Sequence, residues 1–383
     1  MIAILFPRFD HEAIEERYAS WQSQMLLRRE EGIEFTFYDA QEPAAVAAGL
    51  VESDHALVIT DPLLVPPKRL AMRLRELLVR TPEVVAAVPV SNEAANPNQR
   101  RTPPAPYLTL RELAKVTSAM QSGSPSSERV TWDRSDPGAF LCRTAYLDGI
   151  DDPPFRAIEG REVVISHNDY AHRWIVMRAE MRNDLLPLIP TDAKSLIELG
   201  CGEAALGAAI KQRQKCRVVG VELDPRAAAI ARKRIDAVYN GNVQHIVEIL
   251  KEKFECIIGS EIIEHVEDPW SLLADLRQIA APGCKLILSI PNIANASVIG
   301  DLLHGHFDYT YIGLTCAGHL RFFTRRSIEE LLAIAGWQTV TITPQHAPSA
   351  AGDALLRQLA SAKVEIAKED LTASGYYVVA QNR

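Results

Sequence analysis

The segment Ser195–Gly207, SLIELGCGEAALG, constrains the fold more than any other part of the sequence. It consists of an apolar run typical of a buried strand, then Gly200-Cys201-Gly202, then residues that favour a helix. Glycines allow a tight turn and let a ligand approach the backbone closely. A GxG turn alone is weak evidence because plain turns also contain it, and Ala204 stands roughly where the dinucleotide fingerprint has its third glycine. The segment therefore predicts a strand–turn–helix unit with a ligand at its turn.

The next predicted strand, Val218–Asp224, carries an acidic residue at its carboxyl end. This residue, Glu222, follows the glycine turn by about 20 positions, a spacing at which a carboxylate accepts hydrogen bonds from both hydroxyls of a ribose. NAD and S-adenosylmethionine (SAM) both contain that ribose. The two segments together therefore predict a nucleoside-containing cofactor without choosing between these two.

Strand and helix patterns alternate regularly from Ser195 onward, which predicts a parallel sheet covered on both faces. The end of the chain differs, because a helical pattern near 353–367 lies between two strand patterns. Predicted strands lie at 195–200, 217–223, 243–247, 254–260, 285–290, 337–343 and 375–381, and predicted helices at about 204–213, 226–239 and 269–280.

The first half of the chain shows its own alternation of strand and helix patterns, and a helical pattern from His167 to Leu186 predicts a helix that bridges the two halves. With 383 residues, the chain is long enough for two domains. We therefore predict an α/β domain at 1–155, a linker with the bridging helix at 156–190, and a second α/β domain at 191–383. The predicted N-terminal elements are strands at Ile2–Phe6, Glu34–Tyr38, His55–Thr60 and Glu83–Val90 and a helix at Lys68–Arg80.

Composition disfavours several classes of function. The 41 basic and 49 acidic residues give a net charge of −8, which suits a phosphate backbone poorly, so nucleic acid is not an expected partner. None of the six cysteines forms a CxxC pair, and no metal site is predicted. The amino terminus lacks a basic leader and a cleavage site, and no run of 18 apolar residues occurs, so we expect a cytoplasmic protein without a membrane span.

Four motifs in the second half occur in an informative order: Glu198–Glu203 (ELGCGE), Phe254–Pro269, Lys285–Asn292 and His319–Thr324 (HLRFFT). In this order and spacing they resemble the motifs of class I SAM-dependent methyltransferases, and the last is similar to a segment of the ubiquinone-methyltransferase-like branch. The resemblance covers roughly residues 170–383. It implies a Rossmann-like sheet of seven strands and SAM as the cofactor.

The resemblance also implies roles for residues near the glycine turn. Glu198 would lie near the methionine end of SAM, and Gly200, Cys201 and Gly202 would present backbone to the cofactor. Arg182 stands shortly before the first strand, where family members often place a residue that faces SAM. Simpler roles are also open: Glu198 and Glu261 as solvent-exposed carboxylates at loop edges, and Arg182 as a charge on a helix surface.

Further along, the resemblance implies that Glu222 holds the ribose, with Leu223 against the adenine. Asn242 matches a position usually held by an aspartate that contacts the adenine amino group, although a simple turn residue is an equal alternative. Ser260 and Glu261 would line the cofactor where the fourth strand ends.

Methyl transfer to a hydroxyl requires removal of its proton, and histidine suits this task near neutral pH. His265 follows the fourth strand, and His319 lies in a segment that often covers the substrate in this fold; both are candidate catalytic residues. For each, a structural role is a comparable alternative: packing of a loop for His265, and helix entry for His319.

The stretch Leu303–Leu320 is rich in His, Tyr and Gly, which is more typical of a substrate lid than of a core element. His304, His306, Tyr309 and Tyr311 are candidate substrate contacts within it. His304 and His306 together with Asp308 could suggest a metal, but the i, i+2 spacing does not give a closed metal site.

The N-terminal half has a second resemblance. Asp54–Asn92 and Asp133–Asp152 are similar to parts of family-2 glycosyltransferases, which have a GT-A nucleotide-sugar fold. The sequence departs from that pattern, because Thr60-Asp61-Pro62 offers one carboxylate where two are expected for a metal and a diphosphate. The resemblance therefore implies a degenerate GT-A-like domain that positions a glycan, a nucleotide sugar or a partner.

The leading hypothesis is a SAM-dependent methyltransferase that acts on a small hydroxylated acceptor. A sugar or cell-surface glycan intermediate is suggested as the acceptor by the neighbouring domain alone, which is an argument by analogy. Alternative hypotheses are a bifunctional glycosyltransferase–methyltransferase and a non-catalytic SAM-binding scaffold. A nicotinamide dehydrogenase fits the glycine turn but not the Phe254–Pro269 and His319–Thr324 segments.

Overall fold

The computed structural model describes residues 2–8, 14–30, 33–38, 53–105, 107, 109–147, 154–174, 182–310, 312–346 and 350–382. The chain divides into two compact units. The N-terminal unit comprises Met1–Val176 and Asp308–Tyr311, and the C-terminal unit comprises Met177–Phe307 and Ile312–Arg383.

The N-terminal unit is built on a mixed sheet whose strands are β1 (Ile2–Pro7), β2 (Ile33–Tyr38), β3 (His55–Ile59), β4 (Leu64–Val65), β5 (Ala86–Ser91), β6 (Ser127–Thr131), β7 (Ala139–Arg143) and β8 (Glu162–Arg173). Their order is β2-β1-β3-β7-β5-β8-β4, and β6 pairs with β8. β1 runs parallel to both β2 and β3, whereas β7 is antiparallel to β3 and β5. The helices of this unit are α1 (Ile14–Leu27), α2 (Leu70–Arg80) and α3 (Leu110–Ser122).

The predicted helix from His167 to Leu186 is wrong over the residues that the structure describes. Residues 167–173 belong to strand β8, 183–185 form a turn, and Leu186 begins a short 3₁₀ helix; residues 175–181 lie outside the described residues. β8 is parallel to β5 and antiparallel to β6, so both of its edges are hydrogen-bonded. Its β-branched run Val163–Ile165 is buried between these neighbours, and this tertiary pairing outweighs the helical pattern.

The C-terminal unit contains the predicted seven-stranded sheet of an α/β fold. Its strands are β9 (Ser195–Leu199), β10 (Arg217–Glu222), β11 (Ala237–Asn240), β12 (Phe254–Ser260), β13 (Ala280–Pro291), β14 (Gln338–His346) and β15 (Ala373–Gln381), in the order β11-β10-β9-β12-β13-β15-β14. The first five of these strands are parallel, and β15 is antiparallel to both β13 and β14.

Helices cover this sheet, and several begin at caps that are visible in the sequence. Asp224 and Asp268 each accept a hydrogen bond from a first-turn backbone N–H, and a proline follows each of them. Thr324 forms a capping box with Ser327. The helices are α4 (Ala205–Arg213), α5 (Pro225–Ala231), α6 (Val243–Ile249), α7 (Pro269–Ile279), α8 (Ala296–Leu303), α9 (Arg325–Ile334), α10 (Ala350–Ser361) and α11 (Lys368–Thr372).

Two sequence predictions in this unit are wrong. The predicted strand at 243–247 is helix α6, because Val243, Ile246, Val247 and Leu250 recur at helical rather than alternating spacing. The predicted helix at 226–239 stops at the end of α5, and its last residues form strand β11.

The strand order of the C-terminal unit reverses at β9, which has β10 on one side and β12 on the other. In open parallel sheets, ligands bind in the crevice at the carboxyl ends of the strands beside such a reversal. The carboxyl ends of β9, β10 and β12 therefore mark the place of a site. Within the residues covered by the structure, no helix has the length and hydropathy needed to cross a membrane.

Candidate active site

The glycine turn and Glu222 form one hydrogen-bonded assembly. The backbone N–H of Gly202 donates to Glu222 Oε2 at 2.7 Å, and the N–H of Asp224 donates to Oε1 at 2.8 Å. Gly200 and Gly202 have φ angles of 65° and 53°, in the left-handed region that favours glycine. These two bonds fix the orientation of the Glu222 carboxylate at the carboxyl end of β10.

Close packing fixes this assembly against its neighbouring strand. Gly220 lies on β10, and a Cβ built there would be 2.5 Å from the Sγ of Cys201. Cys201 in turn donates its backbone N–H to Val221 O at 3.0 Å. Because only the hydrogen of a glycine fits between the Cα of Gly220 and the Sγ of Cys201, the glycine turn packs directly against the backbone of β10.

Glu198 is buried on β9 and is 5% exposed, so the alternative of a solvent-exposed carboxylate is wrong. Burial raises its pKa to about 8, with the charge of Glu222 adding to the shift and a hydrogen bond from the Gly207 backbone opposing it. Its Oε2 has no hydrogen-bond partner among the residues that the structure describes. The buried carboxyl is therefore largely neutral near pH 7 and lies below the glycine turn.

Arg182 is held at the ends of β12 and β13 rather than on a helix surface. Its Nη1 donates to the hydroxyls of Ser260 and Ser289, the latter at 3.1 Å, and it lies 3.8 Å from Glu261 Oε1. Its Nε and Nη2 bind Asp184. The alternative of an exposed charge is wrong, because the Arg182 side chain is only 14% exposed.

Glu261 and Glu264 follow β12 in a short turn. Glu261 has φ 48°, and its carboxylate accepts a hydrogen bond from the hydroxyl of Ser289 at 2.7 Å. Glu264 is fully buried, and neither of its carboxylate oxygens has a hydrogen-bond partner within the described parts of the chain. Burial, reinforced by the neighbouring charge of Glu261, raises the pKa of Glu264 well above its usual range.

His265 and His319 lie together, with ring centroids 5.0 Å apart. The Nδ1–H of His265 donates to Gly318 O at 3.0 Å, and that of His319 donates to Leu314 O at 3.2 Å. Carbonyl oxygens only accept, so in the neutral form of each ring the hydrogen is on Nδ1 and the lone pair is on Nε2. Burial lowers the pKa of His319 to about 4, and the nearby His265 adds to this shift. His319 is therefore neutral near pH 7 and a weak base.

The structure brings Glu264, His265 and His319 into one cluster, which we call the Glu–His–His cluster. One ligand atom from each of these residues lies within 4.8 Å of the others. Two imidazoles and a carboxylate form a ligand set for divalent transition metals, and ligating histidines commonly donate their other N–H to a backbone carbonyl, as both do here. The sequence analysis did not predict this cluster, because His319 is distant in sequence from the Glu264-His265 pair.

Two partly exposed aromatic side chains adjoin the cluster. The ring centroid of Phe322 lies 6.3 Å from that of His319 and 5.8 Å from that of Phe307. Phe322 and Phe307 are 39% and 38% exposed. This pair gives the surroundings of His319 an apolar wall that the sequence analysis also missed.

Several other predicted residues have different surroundings. Asn242 caps α6, where its side-chain oxygen accepts from Gln244 N at 2.9 Å, as expected for the turn-residue alternative. Leu223 is half-buried after β10. His304 ends α8 and binds the carbonyl of Gly300 at 2.7 Å through Nδ1.

The remaining predicted substrate contacts are spread over different surroundings. His306 is exposed. Tyr309 is 43% exposed and belongs to the N-terminal unit, where its ring centroid is 5.7 Å from that of Tyr18. Tyr311 lies outside the described residues. The structure therefore does not place these side chains in the Glu–His–His cluster.

Residues 172–342 match the model of a family described as "Methyltransferase domain". A ubiquinone biosynthesis O-methyltransferase of Cereibacter sphaeroides (strain ATCC 17029 / ATH 2.4.9) is 27% identical over 167 residues, which cover 42% of this chain and 67% of that protein. The mitochondrial ubiquinone biosynthesis O-methyltransferase of Schizosaccharomyces pombe is 32% identical over 103 residues, which cover 25% of this chain and 37% of that protein.

Solved structures are also similar to part of the chain. A SAM-dependent methyltransferase from Archaeoglobus fulgidus has 13% identity and a TM-score of 0.40, covering 52% of this chain and 91% of that one. Magnesium protoporphyrin IX methyltransferase from Synechocystis PCC 6803, with S-adenosylhomocysteine (SAH) bound, has 13% identity and a TM-score of 0.37, covering 52% of this chain and 78% of that one.

Proposed function

We propose that this chain, whose C-terminal unit is a class I SAM-dependent methyltransferase domain, transfers the methyl group of SAM to a hydroxyl oxygen of a small acceptor. The observation that carries the proposal is the position of the Glu–His–His cluster after β12, two strands along the sheet from the Glu222 carboxylate and next to the strand that bears the glycine turn. Relatives named as O-methyltransferases support oxygen as the receiving atom.

On the cofactor side, the chain provides binding and alignment. Glu222 would accept the ribose hydroxyls, and Gly200 and Gly202 would let the cofactor lie against the backbone. The sulfonium of SAM already activates the methyl group, so the domain mainly has to align the acceptor oxygen with the methyl carbon and the sulfur.

On the acceptor side, the Glu–His–His cluster would make it easier for the acceptor hydroxyl to lose its proton. A general base works best with a pKa near the working pH, and the pKa of about 4 makes His319 poorly suited to that role. Its free Nε2, the Nε2 of His265 and a Glu264 oxygen instead fit a divalent cation. When bound, such a cation lowers the pKa of a coordinated hydroxyl.

The acceptor we propose is a small hydroxylated molecule with an apolar face. The exposed Phe307–Phe322 pair beside His319 supports this proposal, because aromatic rings bind flat apolar surfaces well. A hydroxylated aromatic ring and a sugar both have such a face. The O-methyltransferase relatives favour the aromatic ring, and the resemblance of the N-terminal half favours the sugar or glycan intermediate.

The experiment has two stages. Calorimetry with SAM compares wild type, Glu222→Ala and the control Glu248→Ala, whose side chain is exposed on α6. We expect wild type and control to bind and Glu222→Ala to lose at least tenfold in affinity. SAH release is then measured with catechols and with sugars, with and without Mg²⁺ or Mn²⁺. Absence of SAM binding by wild type would refute the proposal, and binding without SAH release in any mixture would favour a non-catalytic scaffold.

A second activity in the N-terminal unit is favoured by one observation: a second carboxylate lies near Asp61. The hydroxyl of Thr60 donates to Asp136, and the charge of Asp61 adds to the effect of burial in raising the pKa of Asp136. Both carboxylates lie at the carboxyl end of β3. The strand order reverses at the neighbouring strand β1, which has β2 on one side and β3 on the other. Asp61 is, however, paired with Arg173, which neutralises one of the two charges. We propose a ligand-positioning role for this unit, with glycosyl transfer as the alternative.

These two roles are distinguished by nucleotide-sugar turnover. Purified full-length protein is incubated with UDP- and GDP-sugars and Mn²⁺, and release of the nucleotide diphosphate is measured. Turnover that disappears in both Asp61→Ala and Asp136→Ala would establish a bifunctional glycosyltransferase–methyltransferase. Binding without turnover would support the positioning role.

A further inference from the structure

Ser289 lies fully buried near the carboxyl end of β13, in the otherwise apolar run of residues 286–291. A hydroxyl in the middle of such a strand costs free energy unless it is hydrogen-bonded, and a small apolar residue would satisfy packing equally well. The role of this serine is therefore to be sought in what its hydroxyl binds.

The hydroxyl of Ser289 binds one residue twice. It donates to Glu261 Oε1 at 2.7 Å and accepts from the backbone N–H of Glu261 at 3.1 Å. Its second acceptor site receives Nη1 of Arg182 at 3.1 Å. A longer contact of 3.4 Å joins it to the hydroxyl of Ser260. The single donor and both acceptor sites of the hydroxyl are thus used, and the two contacts to Glu261 hold both the side chain and the backbone of that residue.

Glu261 needs such support because of its backbone. A φ of 48° is disfavoured for a residue with a side chain, because its Cβ comes too close to the following carbonyl oxygen. Conformations of this kind persist when the surroundings fix them, and they concentrate at functional sites. The Glu261 side chain is 41% exposed, so water competes for its carboxylate, yet Ser289 keeps Oε1 turned toward the strand ends.

We infer that Ser289 is a positioning residue that holds Glu261 in place in the turn after β12, which also carries Glu264 and His265, and thereby supports cation binding at the Glu–His–His cluster. This inference rests on the function proposed above, since it assigns that cluster a part in binding a cation. Within the part of the chain that the structure describes, Ser289 makes no hydrogen bond to Glu264, and its two bonds to Glu261 are its link to the turn that carries the cluster. Substituting outer partners of metal ligands typically costs 10- to 100-fold in metal affinity; Glu261 would be such a partner, and Ser289 acts on it.

The test compares Ser289→Ala and Ser289→Thr with wild type in the full chain. The matched control is Ser195→Ala, which removes a hydroxyl from the opposite, amino-terminal edge of the same sheet. Mn²⁺ and SAM affinities are measured by calorimetry, and wild type and Ser289→Ala are crystallised. We expect Ser289→Ala to weaken Mn²⁺ binding at least tenfold with SAM affinity within about threefold, Ser289→Thr to retain Mn²⁺ binding, and the control to match wild type.

The crystal structures decide the inference independently of the cation. In Ser289→Ala, we expect Glu261 to leave its left-handed conformation or its carboxylate to turn to solvent. An unmoved Glu261 overturns the inference. If wild type binds no Mn²⁺, the proposed cation role fails, and the Ser289 inference is judged on the position of Glu261. If Ser289→Ala does not fold, Ser289→Cys, which has nearly the same size and is a weaker donor, replaces it with the same expected outcomes.

Discussion

The C-terminal unit should lose stability as pH rises from 5 to 8, and replacing Glu198 by glutamine should remove most of that loss. The Glu198 carboxyl is 5% exposed, and its pKa is raised from 4.5 to about 8. The folded state therefore holds a proton that the unfolded state has released, so stability falls with pH. The stabilisation is complete below the unfolded pKa of 4.5 and is lost as pH rises through about 8.

The shift of about 3.5 units in the Glu198 pKa corresponds to about 5 kcal/mol, at 1.36 kcal/mol per unit. Roughly 4 kcal/mol of this falls between pH 5 and pH 8, an upper limit because a buried site relaxes when it becomes charged. Glutamine has nearly the same shape, keeps the acceptor for the Gly207 N–H and does not titrate. Glu198→Gln should therefore match wild type within about 1–2 kcal/mol at pH 5 and exceed it by several kcal/mol at pH 8.

The assay is differential scanning calorimetry of the full chain at half-unit pH steps, together with hydrogen exchange of the β9 amides, which reports opening of the C-terminal unit alone. The exposed Glu248→Gln is the control for removing one carboxylate. Equal pH slopes for wild type and Glu198→Gln would show that the carboxyl is not protonated in the folded state, and the reasoning would then be wrong.

Three further predictions concern the two ends of the site. Gly220→Ala should destabilise the C-terminal unit by about 2–3 kcal/mol and weaken SAM binding, since its Cβ would lie 2.5 Å from Cys201 Sγ; thermal unfolding and calorimetry measure both effects, and wild-type values would contradict the packing argument. His319→Ala should lower SAH release at least 100-fold while SAM affinity stays within about threefold, with the exposed His245→Ala as control; equal losses in both variants would assign His319 no special role. Glu261→Gly should keep or raise the melting temperature while weakening Mn²⁺ binding, because glycine adopts φ 48° without strain; a fall of several degrees would contradict this.

The glycine turn, Glu222 and six of the seven strands could be predicted because the signal for each is local. A strand, a turn and a helix within Ser195–Gly207 leave little choice of backbone, and the structure joins Gly202 to Glu222 by a direct hydrogen bond. Where two local signals compete, the prediction fails. Val243–Ile249 contains strand-forming residues at helical spacing. The segment is a helix, and the side chain of Asn242 caps its amino-terminal end.

The Glu–His–His cluster could not be predicted as a unit, because its members come from two turns that only the folded sheet brings together. Leu320 and Arg321 donate their backbone N–H groups to the carbonyl of Glu264, and this contact places His319 opposite His265. Ser289 was overlooked for a related reason: its significance lies in a bond to Glu261 on the neighbouring strand end. One signal was nevertheless present, since a serine in an apolar buried strand calls for an explanation.

The reversal of strand order at β9 separates two kinds of evolutionary change in the C-terminal unit. The turns at the carboxyl edge, after β9, β10 and β12, carry the groups assigned to chemistry, and the stretch after β13 leads to the aromatic pair. The turns at the amino edge, such as 214–216 and 250–253, carry none of them. Selection can therefore exchange the stretch after β13 to change which molecule is methylated, and can lengthen the amino-edge turns freely, while the binding of the methyl donor stays constant.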